Sequence, residues 1–102
     1  MKNIVDKRRP THDLKQMKIL LDEENYRFTF TARKSYTSME LTEGEAVDII
    51  KSLQQSDFEK SMTTKHDNRI WQDVYKPNTD EYGSLYIKLS NRYGNQTGHY
   101  FL

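Results

Sequence analysis

The spacing of apolar residues changes period part-way along this chain, and that change limits the folds open to it. Up to residue 53 the apolar positions recur every three or four residues: Leu14, Met17, Leu20 and Leu21, then Ala46, Val47, Ile49, Ile50 and Leu53. Such spacing lines one face of a helix. Further on the pattern alternates, most clearly where Leu85, Ile87 and Leu89 interleave with Tyr86, Lys88 and Ser90. Alternation is the mark of a strand with one face on a core. Helices first and strands after predict an α+β chain, with N-terminal helices packed on a mainly antiparallel meander sheet. At 102 residues, and without an internal repeat or a linker, the sequence reads as one domain over 1–102. Hydrophobic residues make up only 34% and charged residues 30%, so it is the periodic blocks, not bulk hydropathy, that mark the chain as folded.

Local signals set the expected boundaries. Pro10 and Thr11 close an N-terminal segment, and Thr11 is a plausible cap for a helix running to about Glu24. Tyr26, Phe28 and Phe30 alternate with Arg27, Thr29 and Thr31, which predicts a strand over 26–31. Residues 32–41 show no clear period. Thr42 and Glu45 form a capping-box pattern ahead of the second helix, and Ser56 and Glu59 repeat it before a short helical turn over 57–60. Strands over 62–65 and 70–76 flank a polar turn at 66–69. Pro77, Asn78, Asp80 and Gly83 mark a loop, and 91–98 is rich in turn residues before a final strand over 99–102.

Composition removes several kinds of chemistry. Without cysteine there is no disulfide, no thiolate metal site and no Cys nucleophile. No apolar run is long enough to span a membrane and no apolar signal core opens the chain, so a reducing, cytoplasmic setting without membrane contact is expected. Net charge is +1, but residues 1–18 hold six cations against two anions, a balance of +4. A basic arm over 1–10 suits phosphate contacts, and it equally suits a solvated terminus. His12, His66 and His99 are scattered without metal-ligand spacing and read as surface or packing histidines.

Residues 58–88 carry the most suggestive chemistry. In 70–76, Ile70, Gln72, Val74 and Lys76 share one face, while Trp71, Asp73 and Tyr75 share the other. Tyr86 and Lys88 share the polar face of their strand, and Lys60 falls at the junction between the short helical turn and the sheet. Rings interleaved with cations on a sheet suit RNA, whose bases stack on aromatics while its phosphates meet Lys and Arg. On alternation alone, an ordinary sheet with one face on a core is the simpler account.

Two blocks tip that balance. Asp57-Phe58-Glu59-Lys60-Ser61-Met62-Thr63 and Trp71-Gln72-Asp73-Val74-Tyr75-Lys76-Pro77 closely resemble the central signature of the MqsR toxins. Weaker resemblance extends to Lys7-Arg8-Arg9-Pro10 with Leu14, and to Leu85-Tyr86-Ile87-Lys88. The resemblance implies a RelE-like fold and an mRNA endonuclease selective for GCU-type sites. It also implies a partner, a zinc-binding, DNA-binding antitoxin of the MqsA kind, so that DNA is met only through that protein. Carried over by position, Lys60, Gln72 and Tyr86 are the expected catalytic residues. Met62, Arg69, Lys76 and Lys88 are the expected substrate contacts, and neither a cofactor nor a metal is expected. Where the family often has tyrosine, this chain has Glu59, an anion that opposes phosphate. Non-catalytic RNA binding and protein interaction on the same fold remain the alternatives.

Overall fold

A computed structural model describes residues 5–64 and 69–90 and the backbone of 98–101. After a two-residue strand β1 (Asp6–Lys7), helix α1 spans Leu14–Asp22. Its cap is Asp13, whose carboxylate accepts from the Lys15 backbone N–H at 2.9 Å, so the cap falls two residues beyond Thr11. Thr11 is drawn away by the sheet. Its backbone N–H donates to both Asp73 carboxylate oxygens, at 2.9 and 3.2 Å, and its hydroxyl lies 2.6 Å from that of Ser61. Leu14, Met17, Leu20 and Leu21 are all buried, as their spacing requires. The helix closes through Glu24 in the left-handed region (φ 57°), which lets the Asn25 N–H reach the Leu20 carbonyl at 2.8 Å.

Strand β2 (Tyr26–Phe28) is shorter than alternation predicts. Thr29 ends it by accepting from the Ala32 N–H at 3.1 Å and capping helix α2 (Phe30–Ser38). The residues without a clear period are therefore mostly helical. Ala32 and Tyr36, one turn apart, are the buried pair of α2, while Phe30 is 79% exposed. Helix α3 (Glu43–Lys51) starts with the expected box: the Glu45 N–H donates to the Thr42 hydroxyl at 3.2 Å, and the Thr42 N–H to the Glu45 carboxylate at 2.9 Å.

A 3-10 turn (Gln55–Asp57) leads into β3 (Phe58–Thr63). The short helical turn thus comes two residues earlier than expected, and Lys60 sits inside a strand, not at its junction. Strands β4 (Trp71–Tyr75), β5 (Asn78–Thr79), β6 (Gly83–Ser84), β7 (Ile87–Ser90) and β8 (Gly98–Phe101) follow. The expected turn at 66–69 lies outside the described residues except for Arg69, as does most of 91–98. The main sheet runs β1-β3-β4-β7-β8-β2, and β5 and β6 form a separate hairpin. All pairings in the main sheet are antiparallel except β2 with β8, which is parallel.

Helices cover one face of this sheet. Their buried side chains join Tyr75, Ile87 and Leu89 in one core. Among the described residues, no helix is long and apolar enough to cross a membrane.

Candidate active face

The other face of the sheet collects most of the residues singled out above. Residues paired across strands point to the same side. Lys60 pairs with Val74, and Val74 with Lys88, giving one row across β3, β4 and β7. Met62 pairs with Gln72 and also with Asp6, giving the next row. Val74 has no exposed surface, yet it lies outside the helix-side core. Its cross-strand neighbours are the two lysines, whose aliphatic stems can shelter it while their ammonium groups stay in water.

Tyr86 stands just before β7 and is 42% exposed. Its ring is flanked by two cations, with the Lys76 ammonium 5.5 Å and the Lys88 ammonium 5.6 Å from its centroid, a cation–π arrangement. Lys76 also pairs with Glu59, Nζ to Oε1 at 3.1 Å. Register on β3 slips between Phe58 and Lys60, so Glu59 is the extra residue of a β-bulge. A bulge re-aims the side chain at its apex, and here it brings a carboxylate to Lys76. The repulsion expected between Glu59 and phosphate is thereby offset by Lys76.

Lys60, Met62, Gln72, Lys76, Tyr86 and Lys88 thus share a face. Arg69 is exposed in the turn before β4, three residues from Gln72 and seven from Lys76, at the end of the face away from Tyr86. Tyr86 also borders a cavity of about 270 Å³ lined by Ser35, Met39, Leu41, Ile49, Ser84 and Leu85.

The helix-side face has a different task. Asp73 is 1% exposed, and its carboxylate accepts the backbone N–H groups of Thr11 and His12, the latter at 2.8 Å. The His12 ring meets the Trp71 carbonyl at 3.1 Å and the Lys7 ammonium lies 4.4 Å from the Trp71 ring centroid. A buried carboxylate held by two backbone donors fastens the N-terminal segment to β4. Sequence reasoning placed Asp73 on this face but did not see that role; a charged residue at an inward position of a central strand is the signal. Among the described residues, no group of three or more His, Asp or Glu is placed to hold a metal ion.

The family described as "Motility quorum-sensing regulator, toxin of MqsA" matches residues 9–97. The chain belongs to the MqsR toxin family. One relative, the mRNA interferase toxin MqsR of Escherichia coli (strain K12), is 37% identical over 86 residues, covering 84% of this chain and 87% of that protein. Both signature blocks and the Leu85–Lys88 stretch lie within the MqsR match, so the open face is built from residues the family match includes.

Proposed function

We propose that this chain is an endoribonuclease, an mRNA interferase toxin held silent by an MqsA-like antitoxin. The observation that carries the reading is the open face itself: Lys60 and Lys88 in one row, Gln72 in the next, and Tyr86 between two lysines. Family membership and the E. coli relative's name supply the substrate class, mRNA, and the antitoxin as partner. The finer reading is a single RelE-like domain acting in the cytoplasm on GCU-type sites, with DNA reached only through the antitoxin.

The chemistry follows from the residues present. The substrate's own 2′-oxygen attacks the adjacent phosphorus, and the bond to the 5′-oxygen breaks. The protein must align these atoms, stabilise the negative charge of the phosphorane and protonate the leaving oxygen. Lys60 stabilises that charge, Gln72 positions a phosphate oxygen through its amide, and the Tyr86 hydroxyl donates the proton. Met62, Lys76 and Lys88 hold the flanking nucleotides, and Arg69 meets the strand farther out. Three ammonium groups on this face disfavour a divalent cation there, so the reaction is expected to run without metal.

The test is cleavage of a defined RNA in excess EDTA. Products should carry 2′,3′-cyclic phosphate and 5′-hydroxyl ends, and a 2′-deoxy substitution at the cut site should abolish cutting. Strict dependence on a divalent ion, or 3′-hydroxyl products, would overturn the mechanism. RNA binding without cleavage would replace the enzyme with a non-catalytic module.

A further inference from the structure

We propose that Glu59 is the general base of this reaction, the group that takes the proton from the 2′-hydroxyl; the inference rests on the endoribonuclease reading. That reading provides an acid and charge stabilisation but no acceptor for this proton. A 2′-hydroxyl is a poor nucleophile until its proton is taken, and a positioned carboxylate can take it. On the open face, register and contacts place two described carboxylates, Glu59 and Asp6. Asp6 lies in the Met62–Gln72 row at the far side of Lys60. Glu59 lies on the side of Tyr86, joined to it through one ammonium: Lys76 Nζ is 3.1 Å from Glu59 Oε1 and 5.5 Å from the Tyr86 ring centroid. Base and acid are thus held on either side of a cation that can bind the phosphate between them.

Two further features point the same way. The bulge at Glu59 breaks the β3 ladder at the residue before Lys60, and bulges recur beside active sites because they redirect a side chain. Oxygen Oε2 of Glu59 is buried and has no hydrogen-bond partner. An orphan acceptor of this kind calls for an explanation, and a 2′-hydroxyl donating to it would supply the missing bond once a rotation of the Glu59 side chain uncovers the oxygen, with Lys76 kept at Oε1. Lys76 is the charged group in contact with the carboxylate; the other charged and titratable groups on the neighbouring elements are Lys60 on β3, Tyr86 and Lys88 before and on β7, and Asp57 in the 3-10 turn, whose own carboxylate is engaged by the Gln54 N–H at 2.8 Å. The step balances: the proton passes from the 2′-oxygen to Glu59, the 2′-oxygen–phosphorus bond forms, the phosphorus–5′-oxygen bond breaks, and Tyr86 gives its proton to the 5′-oxygen. Solvent then resets both groups.

Single-turnover cleavage by the full chain, at saturating protein and across a wide pH range, tests the assignment. Wild type should gain rate tenfold per pH unit at the acid end of its profile. Glu59→Gln keeps the shape and a hydrogen bond to Lys76 but cannot accept the proton; it should cut about a hundredfold or more slowly and lose that acid limb, with RNA affinity largely kept. Glu59→Asp should recover part of the rate and the limb. Circular dichroism melts confirm that each variant is folded. A slow Glu59→Gln that keeps the acid limb would make Glu59 a positioning residue and overturn the proposal, as would an unchanged rate. If wild type itself does not cut RNA, the endoribonuclease reading fails first.

Discussion

At the scale of single residues, placement separates the lysines. Lys60 lies in register with Lys88 on the open face, whereas Lys34 is exposed on α2 in the helical layer. Each substitution by alanine removes one positive charge. If only net charge mattered, both would weaken RNA binding alike and flatten its salt dependence equally. Charge aimed at a transition state acts through position, so Lys60→Ala should slow single-turnover cleavage about a hundredfold while Lys34→Ala leaves it unchanged. Tyr86→Phe should resemble Lys60→Ala, and Gln72→Ala should fall between. Equal losses at Lys60 and Lys34, or a fully active Tyr86→Phe, would move the active site elsewhere. Most of this face was legible beforehand, because alternation alone puts Gln72, Val74 and Lys76 on one side and Tyr86 with Lys88. The bulge was not. One inserted residue leaves no trace in a pattern of period two, so Glu59 read as a loose anion instead of the partner of Lys76.

At the scale of elements, caps were legible where no distant group competes for them. Thr42 and Glu45 satisfy each other's backbone within one turn, so sequence suffices. Thr11 and Asp13 are both good caps two residues apart, and the choice between them is made by Asp73 and Ser61, which engage Thr11 from the sheet. Thr29 posed the reverse problem. It fits an alternating strand and it fits a cap, and the cap ends β2 after three residues. The Asp73 anchor has a measurable consequence. Asp73→Asn weakens the charge-assisted bonds to two backbone donors, the Thr11 and His12 N–H groups, and should cost about 1–3 kcal/mol in urea denaturation. The loss should be local as well, with faster hydrogen exchange at the amides of Thr11 and His12 than at Leu20. Uniformly faster exchange, or wild-type stability, would show that the anchor does not hold this segment.

At the scale of the whole molecule, the α+β class followed from the change of period, but the pairing of β2 with β8 did not. A strand's local pattern says which face is buried and nothing about which distant strand it meets. Packing around the core also sets the molecule's response to alkali. Burial, then the charge of Asp73, pushes the Tyr75 hydroxyl up to about 12. Burial, then the bond to Glu43 at 2.8 Å, does the same for Tyr26. In the unfolded chain both ionise near 10, so the unfolded state loses its protons first. The contribution to stability is complete below about pH 10 and is lost as pH rises toward 12. The urea midpoint should be lower at about pH 11 than at about pH 8, and Tyr75→Phe should narrow the gap; a gap unchanged by that substitution would refute the assignment. The parallel ladder has a consequence for synthesis. Translation makes Tyr26 long before Gly98, its partner in the sheet, and β7, which holds Lys88, gains its second neighbour only when β8 arrives. Until then two strands keep raw edges and the long loop between them stays unclosed. A chain whose proposed target is messenger RNA thus completes the sheet that bears its active face only after every codon for that face has been read.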